Sequence, residues 1–442
     1  MDISGKTAAE IFDNVRQQVL SGRLRPGEAL PPVRELAARL DVNRNTVAAA
    51  YKRLVTAGVA LTQGRLGTVI RHLTEAGEQE GTAPGSALAD LAGGNPNPAW
   101  LPDAAAALAA RPWRPRLYGE TLVDAPLAQH AQAWFAQDCP PGFAVDLSYG
   151  AVDAIERLLA AHLVAGDKVV VEHPCFLGSI NTLRVAGLQA VGVPVDAQGL
   201  RADALEAALE AGAQAVILTP RAHNPTGCSL SAARARALRD VLARHPHVLL
   251  VVDDHFALLS AAPYHDVIPP AAQRWALVRS VSKVLGPDLR LACIACDPHT
   301  SQRLRLRLAP GTQWVSHLLQ DIVARCLSSP AVAGRVAQAR DDYARRRAWL
   351  ARALAAQGLM PDAPDAPDAA ATPADGLNLW LPLAADSQPL VLALARRGWL
   401  VRSGEPFGVA APAHGLRITV STLEEEDAGR LALDIARCLA EA

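Results

Sequence analysis

The stretch WALVRSVSKVLGPDLR, residues 275–290, decides how most of this chain folds. Its first six residues are apolar enough for a buried strand. They run straight into Ser280, Ser282 and Lys283, and a Gly286-Pro287 break follows. Four further runs have the same form: DKVVVEHP (167–174), QAVILTP (214–220), HVLLVVDDH (247–255) and RLACIACD (290–297). Ala/Leu-rich helical segments separate them. Short continuous apolar runs alternating with helices predict parallel strands of an α/β sheet. In such sheets ligand-binding groups gather beyond the C-terminal strand ends. Glu172, Asn224, Asp253 and Lys283 all fall there.

That set has a chemical shape. A lysine at a strand end, with hydroxyls and an arginine beside it for a phosphate, can attach a carbonyl compound as a Schiff base. An aspartate buried at a neighbouring strand end can pair with a protonated pyridine nitrogen. Alone, Lys283 would be read as a surface residue and Asp253 as a satisfied structural acid. Their recurrence at successive strand ends favours a site. Lysine is scarce here, with only Lys6, Lys52, Lys168 and Lys283 among 43 basic residues, which gives Lys283 more weight.

Working back to the N-terminus, the pattern changes. Ile11, Val15 and Val19 recur at helical spacing up to Gly22, and Val33, Leu36, Ala37 and Leu40 follow Pro31-Pro32. After the Asp41-Val42-Asn43 turn a third helix carries Val47, Tyr51, Leu54 and Val55, and Gly58 ends it. Two short runs then flank Gly64-Arg65-Leu66-Gly67 as a hairpin. Helix, helix, turn, helix and wing is a winged helix-turn-helix. Asn43-Arg44-Asn45-Thr46 opens the third helix, where Arg can read guanine and Asn adenine in the major groove. Arg34 opens the helix that crosses the backbone, and Arg65 tips the wing. Any single arginine of this kind is more often a solvated surface charge. The set is what points to DNA.

Charge divides along the same line. Residues 1–72 carry eleven basic and six acidic side chains, a formal +5, while the remainder carries 32 basic and 38 acidic, a formal −6. Only the first part suits a polyanion. The stretch LTEAGEQEGTAPGSALA from Leu73 lacks apolar periodicity and predicts a linker, so the expected organisation is 1–72, a linker over 73–87, and 88–442. The Pro-Asp repeat PDAPDAPDAAATPADG (361–376) predicts an exposed loop. With 442 residues, half of them hydrophobic and 20% charged, disorder is excluded. No apolar run reaches spanning length and no signal segment opens the chain, so a cytoplasmic, non-membrane protein is expected. Seven scattered cysteines form no disulfide framework or zinc spacing, so no metal is expected, and Cys293 and Cys296 are read as core packing.

The segments LPPVRELA, NRNTV, AYKRL and GRLGT closely resemble the GntR-type winged-helix domain from Lys6 to Ile70. That resemblance implies Arg34, Arg44, Asn45, Thr46 and Arg65 as contacts to a double-stranded operator. The large part resembles class I/II aminotransferases of fold type I, pyridoxal-phosphate enzymes with a mostly parallel central sheet. By position, Ser280-x-Ser282-Lys283 and Pro287-x-x-Arg290 match the family's S-x-S-K…P-x-L-R motif. The match implies Lys283 as the Schiff-base lysine, with Ser280, Ser282 and Arg290 about the phosphate. His223-Asn224-Pro225-Thr226-Gly227 matches its N-P-x-G element, with Asn224 on the ring hydroxyl and Asp253 on the pyridinium. Glu172-x-Pro174-x-Phe176 implies Phe176 stacked on the ring. Ser148-x-Gly150-Ala151-Val152 implies phosphate-binding amides, and Leu416-Arg417-Ile418 a carboxylate grip at Arg417. Two positions depart from the pattern: His255 stands where many relatives have tyrosine, and the entry segment near Tyr118 is degraded.

The fusion resembles the MocR family of transcription regulators, and its wording is most similar to the PtsJ-type members, associated with pyridoxal salvage. It implies a homodimer sensing pyridoxal phosphate, or a related amine, without physiological turnover. The alternative is a working aminotransferase with an appended DNA-binding domain. Arg417 speaks for it, because a pure cofactor sensor needs no carboxylate clamp.

Overall fold

The computed structural model describes residues 2–57, 59–62, 67–70, 78–82, 85–109, 114–360 and 374–441. The chain divides into two compact units, the smaller built mainly from Met1–Gly77 and the larger from most of the rest.

In the smaller unit the first helix, Ala8–Leu20, starts where the Thr7 hydroxyl accepts from the Glu10 amide. The second, Val33–Leu40, ends at Asp41 in the left-handed conformation with φ 52°. The third, Arg44–Thr56, is capped by Asn43, whose side-chain oxygen accepts from the Asn45 amide at 2.8 Å. Ile11, Val15, Leu36, Val47, Leu54 and Ile70 close a core of their own. The strands Ala60–Thr62 and Thr68–Ile70 pair antiparallel with Ala60 opposite Ile70. This is the expected helix-turn-helix with its wing; Arg65 at the wing tip lies outside the described residues.

The larger unit is organised around an eight-stranded sheet. From one edge its order is Ala144–Ser148, Ala292–Cys296, Trp275–Ser280, Leu249–Asp253, Ala215–Leu218, Lys168–His173, Gln189–Asp196 and Gly199–Leu200. The four central strands from Trp275–Ser280 to Lys168–His173 are parallel. One expectation is corrected. The RLACIACD run, read as a parallel strand, lies antiparallel to both neighbours. The reason is reach: the connection from Ser280 to Ala292 holds only the short helix Ser282–Leu285 and a turn, whereas a parallel return needs a crossover of a dozen or more residues. Cys293 and Cys296 are fully buried in that strand, and all seven cysteines are free.

A second, three-stranded antiparallel sheet, in the order Asn378–Pro382, Gly415–Thr419, Arg402–Ser403, packs with the helices Pro330–Ala356 and Glu425–Ala440 around Leu350, Leu354, Ile418, Leu431 and Ile435. Most of the Pro-Asp repeat lies outside the described residues. Its end is tied down: Asp375 is buried and accepts from the Ala261 and Ala262 amides at 2.9 and 3.1 Å. Among the described residues no helix is long and apolar enough to cross a membrane.

Candidate functional site

The strand-end residues come together because neighbouring strands stop level with one another. Asp253 closes its strand opposite Val278, and Ser280 ends the next, opposite Ala292, which in turn faces Ser148. Ser148 leads through Gly150, at φ 96°, into the helix Ala151–His162. Its first-turn amides, those of Ala151 and Val152, have no partner within the helix and face the side on which an anion is favoured. Arg290 borders the same turn: a Cβ placed on Gly150 would sit 3.1 Å from its guanidinium, and that guanidinium is exposed with no ion pair among the described residues. The Ser280 hydroxyl donates to Ser282 at 3.2 Å and accepts from its amide at 3.2 Å, which sets both beside Lys283.

Lys283 turns inward, donating from Nζ to the Gly94 carbonyl at 2.6 Å. Burial pulls its pKa below the ordinary value; Glu80 opposes the shift and Arg417 adds to it. Asp253 is 5% exposed, and its Oδ1 is buried with no hydrogen-bond partner. Burial first, then the neighbouring Glu172 and Asp254 charges, push its carboxyl up to about 7. An unpartnered carboxylate oxygen inside a protein is costly. A protonated ring nitrogen is the kind of group that would complete it. The Phe176 ring packs against Gly178, where any Cβ would run into it, so that glycine lets the ring take its place.

Asn224 lies in a tight turn in which the Gly227 amide donates to the His223 carbonyl at 2.6 Å. His255 occupies the tyrosine position and is neutral: burial, then the Lys283 charge, pull it down to about 4. Behind it Asp254, fully buried, is gripped by Arg221 through Nε and Nη2, both at 2.8 Å, and by Arg279 Nε at 2.9 Å. That ion cluster fixes the turn after the strand. The Asp253-Asp254 doublet was its only trace in the sequence. Glu172 and His223, 3.9 Å apart, are buried and neutralised in opposite senses, to about 7 and about 3, with burial the leading cause for each.

Arg417 is fully buried in the strand Gly415–Thr419, and its guanidinium lies 5.3 Å from the centre of the Phe407 ring. It donates to the Asn224 side chain at 3.3 Å and to the Ala92 carbonyl. Its ion-pair partner was not foreseen. Glu80, from the stretch read as linker, reaches Arg417 at 2.5 Å and accepts from Asn224 at 2.9 Å. Low-complexity sequence with no apolar period gave no signal for it.

On the smaller unit Arg34, Arg44 and Asn45 are exposed and Thr46 is half-buried. All three of the latter lie in the first turn of the helix Arg44–Thr56.

Residues 7–70 match the model of the bacterial regulatory proteins of the gntR family, and residues 114–435 match that of aminotransferase class I and II. The chain is 54% identical over 437 residues to the vitamin B6 salvage pathway transcriptional repressor PtsJ of Salmonella typhimurium, covering 99% of each chain. It is 25% identical over 382 residues to the probable rhizopine catabolism regulatory protein MocR of Rhizobium meliloti, covering 76% of this chain and 75% of that one. The chain belongs to the MocR family of transcription regulators. Its large unit has the fold of kynurenine aminotransferase from Pyrococcus horikoshii, with a TM-score of 0.70 and 21% identity over 80% of this chain and 91% of that one. The cofactor of this regulator's large domain is pyridoxal phosphate, and the residues fit it: an unpartnered buried carboxylate for the ring nitrogen, a helix N-terminus for the phosphate and an inward lysine. When bound, the group supplies an aldehyde for a lysine amine and an electron-withdrawing ring. The helix-turn-helix makes DNA the partner of the small unit.

Proposed function

We propose that this MocR-family regulator controls vitamin B6 salvage genes in response to pyridoxal phosphate or a related amine, binding its operator as a cytoplasmic homodimer. The observation that carries the reading is the unpartnered Asp253 oxygen beside an inward Lys283, in one chain with a winged helix. Support for the regulated pathway comes from the PtsJ likeness, which spans both parts of the chain. Lys283 would hold the cofactor covalently, Asp253 its ring nitrogen, Asn224 its ring oxygen, and Ser280, Ser282, Arg290 and the Ala151 and Val152 amides its phosphate. Phe176 would stack on the ring and His255 stand at its oxygen side. Arg44, Asn45 and Thr46 would read the major groove, while Arg34 and Arg65 would contact the backbone and minor groove. Residues 1–72 and 88–442 would be the functional domains, with 73–87 between them.

The test is an absorbance spectrum of the protein with pyridoxal phosphate beside Lys283→Ala, followed by operator binding with and without cofactor. A visible band lost in the variant, together with cofactor-dependent DNA affinity in the parent alone, is the expected result. Identical operator binding by both proteins in the presence and absence of cofactor would overturn the reading. The aminotransferase alternative rested on Arg417 needing a substrate carboxylate; here Arg417 already holds one from its own chain.

A further inference from the structure

The five residues from Glu78 to Thr82 are docked on the large unit by bonds from several directions. Arg402 pairs with Glu78 at 3.1 Å, donates to the Gly81 carbonyl at 2.9 Å and reaches the Ala92 carbonyl at 3.1 Å. Asn181 donates to the Glu78 carbonyl at 2.9 Å, the Gly81 amide to Gly93 at 2.9 Å, and the Thr82 hydroxyl to Asp90. This anchoring holds Glu80 where its Oε1 meets both Arg417 and Asn224. Its Oε2 is buried without a partner and lies against Gly94, at φ +66°, where a Cβ would collide with it. The Gly94 carbonyl in turn holds the Lys283 amine. A carboxylate on a fully buried guanidinium, within the field of the cofactor lysine, stands where an amino-acid ligand would put its own.

We propose that Glu80 is a tethered carboxylate that fills the amino-acid position on Arg417 and so makes the site selective for pyridoxal phosphate, or an amine lacking a carboxylate, against free amino acids. The proposal rests on the cofactor reading above. Tethering explains the strength of the exclusion. A free carboxylate must displace one held at an effective concentration of millimolar or more, and it must also part Glu80 from a pair formed inside the protein, where charges are weakly screened. Substituting Glu80 leaves Arg417 buried with only the Ala92 and Asn224 oxygens, a vacancy that a small anion can enter.

The experiment uses the full-length protein and Glu80→Ala, Glu80→Gln and Glu80→Ala/Arg417→Ala. Thermal midpoints are measured in acetate against chloride at equal ionic strength, and L-alanine is titrated into the cofactor-loaded proteins by absorbance. The expected result is that acetate leaves the parent unmoved, restores the lowered midpoint of Glu80→Ala, and does nothing for the double variant. Apparent affinity for L-alanine should rise by at least about tenfold in Glu80→Ala over the parent. Equal acetate and L-alanine responses in parent and Glu80→Ala would overturn the proposal. So would a folded Glu80→Ala that ignores both. If the alanine variant does not fold, Glu80→Gln decides the matter by the L-alanine titration: a neutral amide holds Arg417 less strongly, so a raised affinity supports the proposal and an unchanged one overturns it. Because acetate acts without cofactor, a parent lacking the absorbance band would count against the cofactor reading and leave the Glu80 result standing.

Discussion

At the scale of single residues the site is a balance of neutralised charges. Folding drives the Asp253 and Glu172 carboxyls up to about 7 and the His223 and His255 imidazoles down to about 3 and 4, burial being the first cause in all four. Between about pH 5 and 6 the unfolded chain would protonate both imidazoles and neither carboxyl for the most part, by their ordinary values, while the native protein protonates both carboxyls and neither imidazole. The proton counts of the two states then match, and these groups give the cofactor-free protein no slope of stability with pH. Asp253→Asn removes one raised carboxyl. The unfolded state then binds one proton more than the native state, and stability should climb with pH across that window by about 1.4 kcal/mol per unit more than in the parent. Chemical denaturation of both cofactor-free proteins at about pH 5 and 6 measures it; parallel curves would show that Asp253 is not protonated in the fold. The strand-end places of Lys283 and Asp253 were legible in the sequence because strand periodicity says where a strand stops, and chemistry says what a lysine and an aspartate there can do; the role given to Asn224 came from the family motif. Glu80 was not. Its contacts to Arg417 and Asn224 join residues far apart in the chain, and nothing about a glutamate among Gly, Thr and Gln says that it will be buried.

At the scale of elements, sequence served best where period and capping agree. Asn43, read as the turn before the third helix, caps Arg44–Thr56, and Tyr51, read on that helix's apolar face, also ties the approach to the second helix through its hydroxyl to the Pro31 carbonyl at 2.8 Å. It served worst at Ala292–Cys296, because an apolar run carries no direction. Only the length of the connection before it distinguishes parallel from antiparallel. The geometry of the small unit yields a paired expectation. Arg44, exposed in the first turn of the third helix, should read a base edge, so Arg44→Ala should cost about 1–3 kcal/mol on the operator and relax discrimination against operators altered at one position. Arg34, exposed at the start of the second helix, should meet phosphate, so Arg34→Ala should weaken operator and random DNA alike and reduce the slope of log affinity against log salt by about one. Fluorescence anisotropy on both DNAs over a salt series measures the two. Indistinguishable variants would mean that the third helix does not enter the groove by its N-terminus.

At the scale of the whole molecule, the question is what a cofactor site and a DNA-binding module gain from sharing a chain. A repressor of a salvage route, as the PtsJ relative is named, should grip its operator when the product of that route is plentiful. On the function proposed above, pyridoxal phosphate should change operator binding here. The coupling must be reciprocal, since both affinities are edges of one thermodynamic cycle. If cofactor tightens operator binding by some factor, operator must tighten cofactor binding by the same factor, and neither can exceed the cofactor's differential affinity for the DNA-ready conformation. Coupling free energies of this kind run at about 1–3 kcal/mol, so a change of roughly 5–150-fold is the expected range. Two titrations measure it: operator affinity with and without saturating cofactor, and cofactor affinity by absorbance with and without saturating operator. Equal factors in the same direction are expected. A cofactor effect on DNA with no DNA effect on the cofactor would break the cycle and require a second ligand. Equal factors retained in Lys283→Ala would mean that the coupling runs through the ring and phosphate contacts alone, with the lysine serving retention and not signalling.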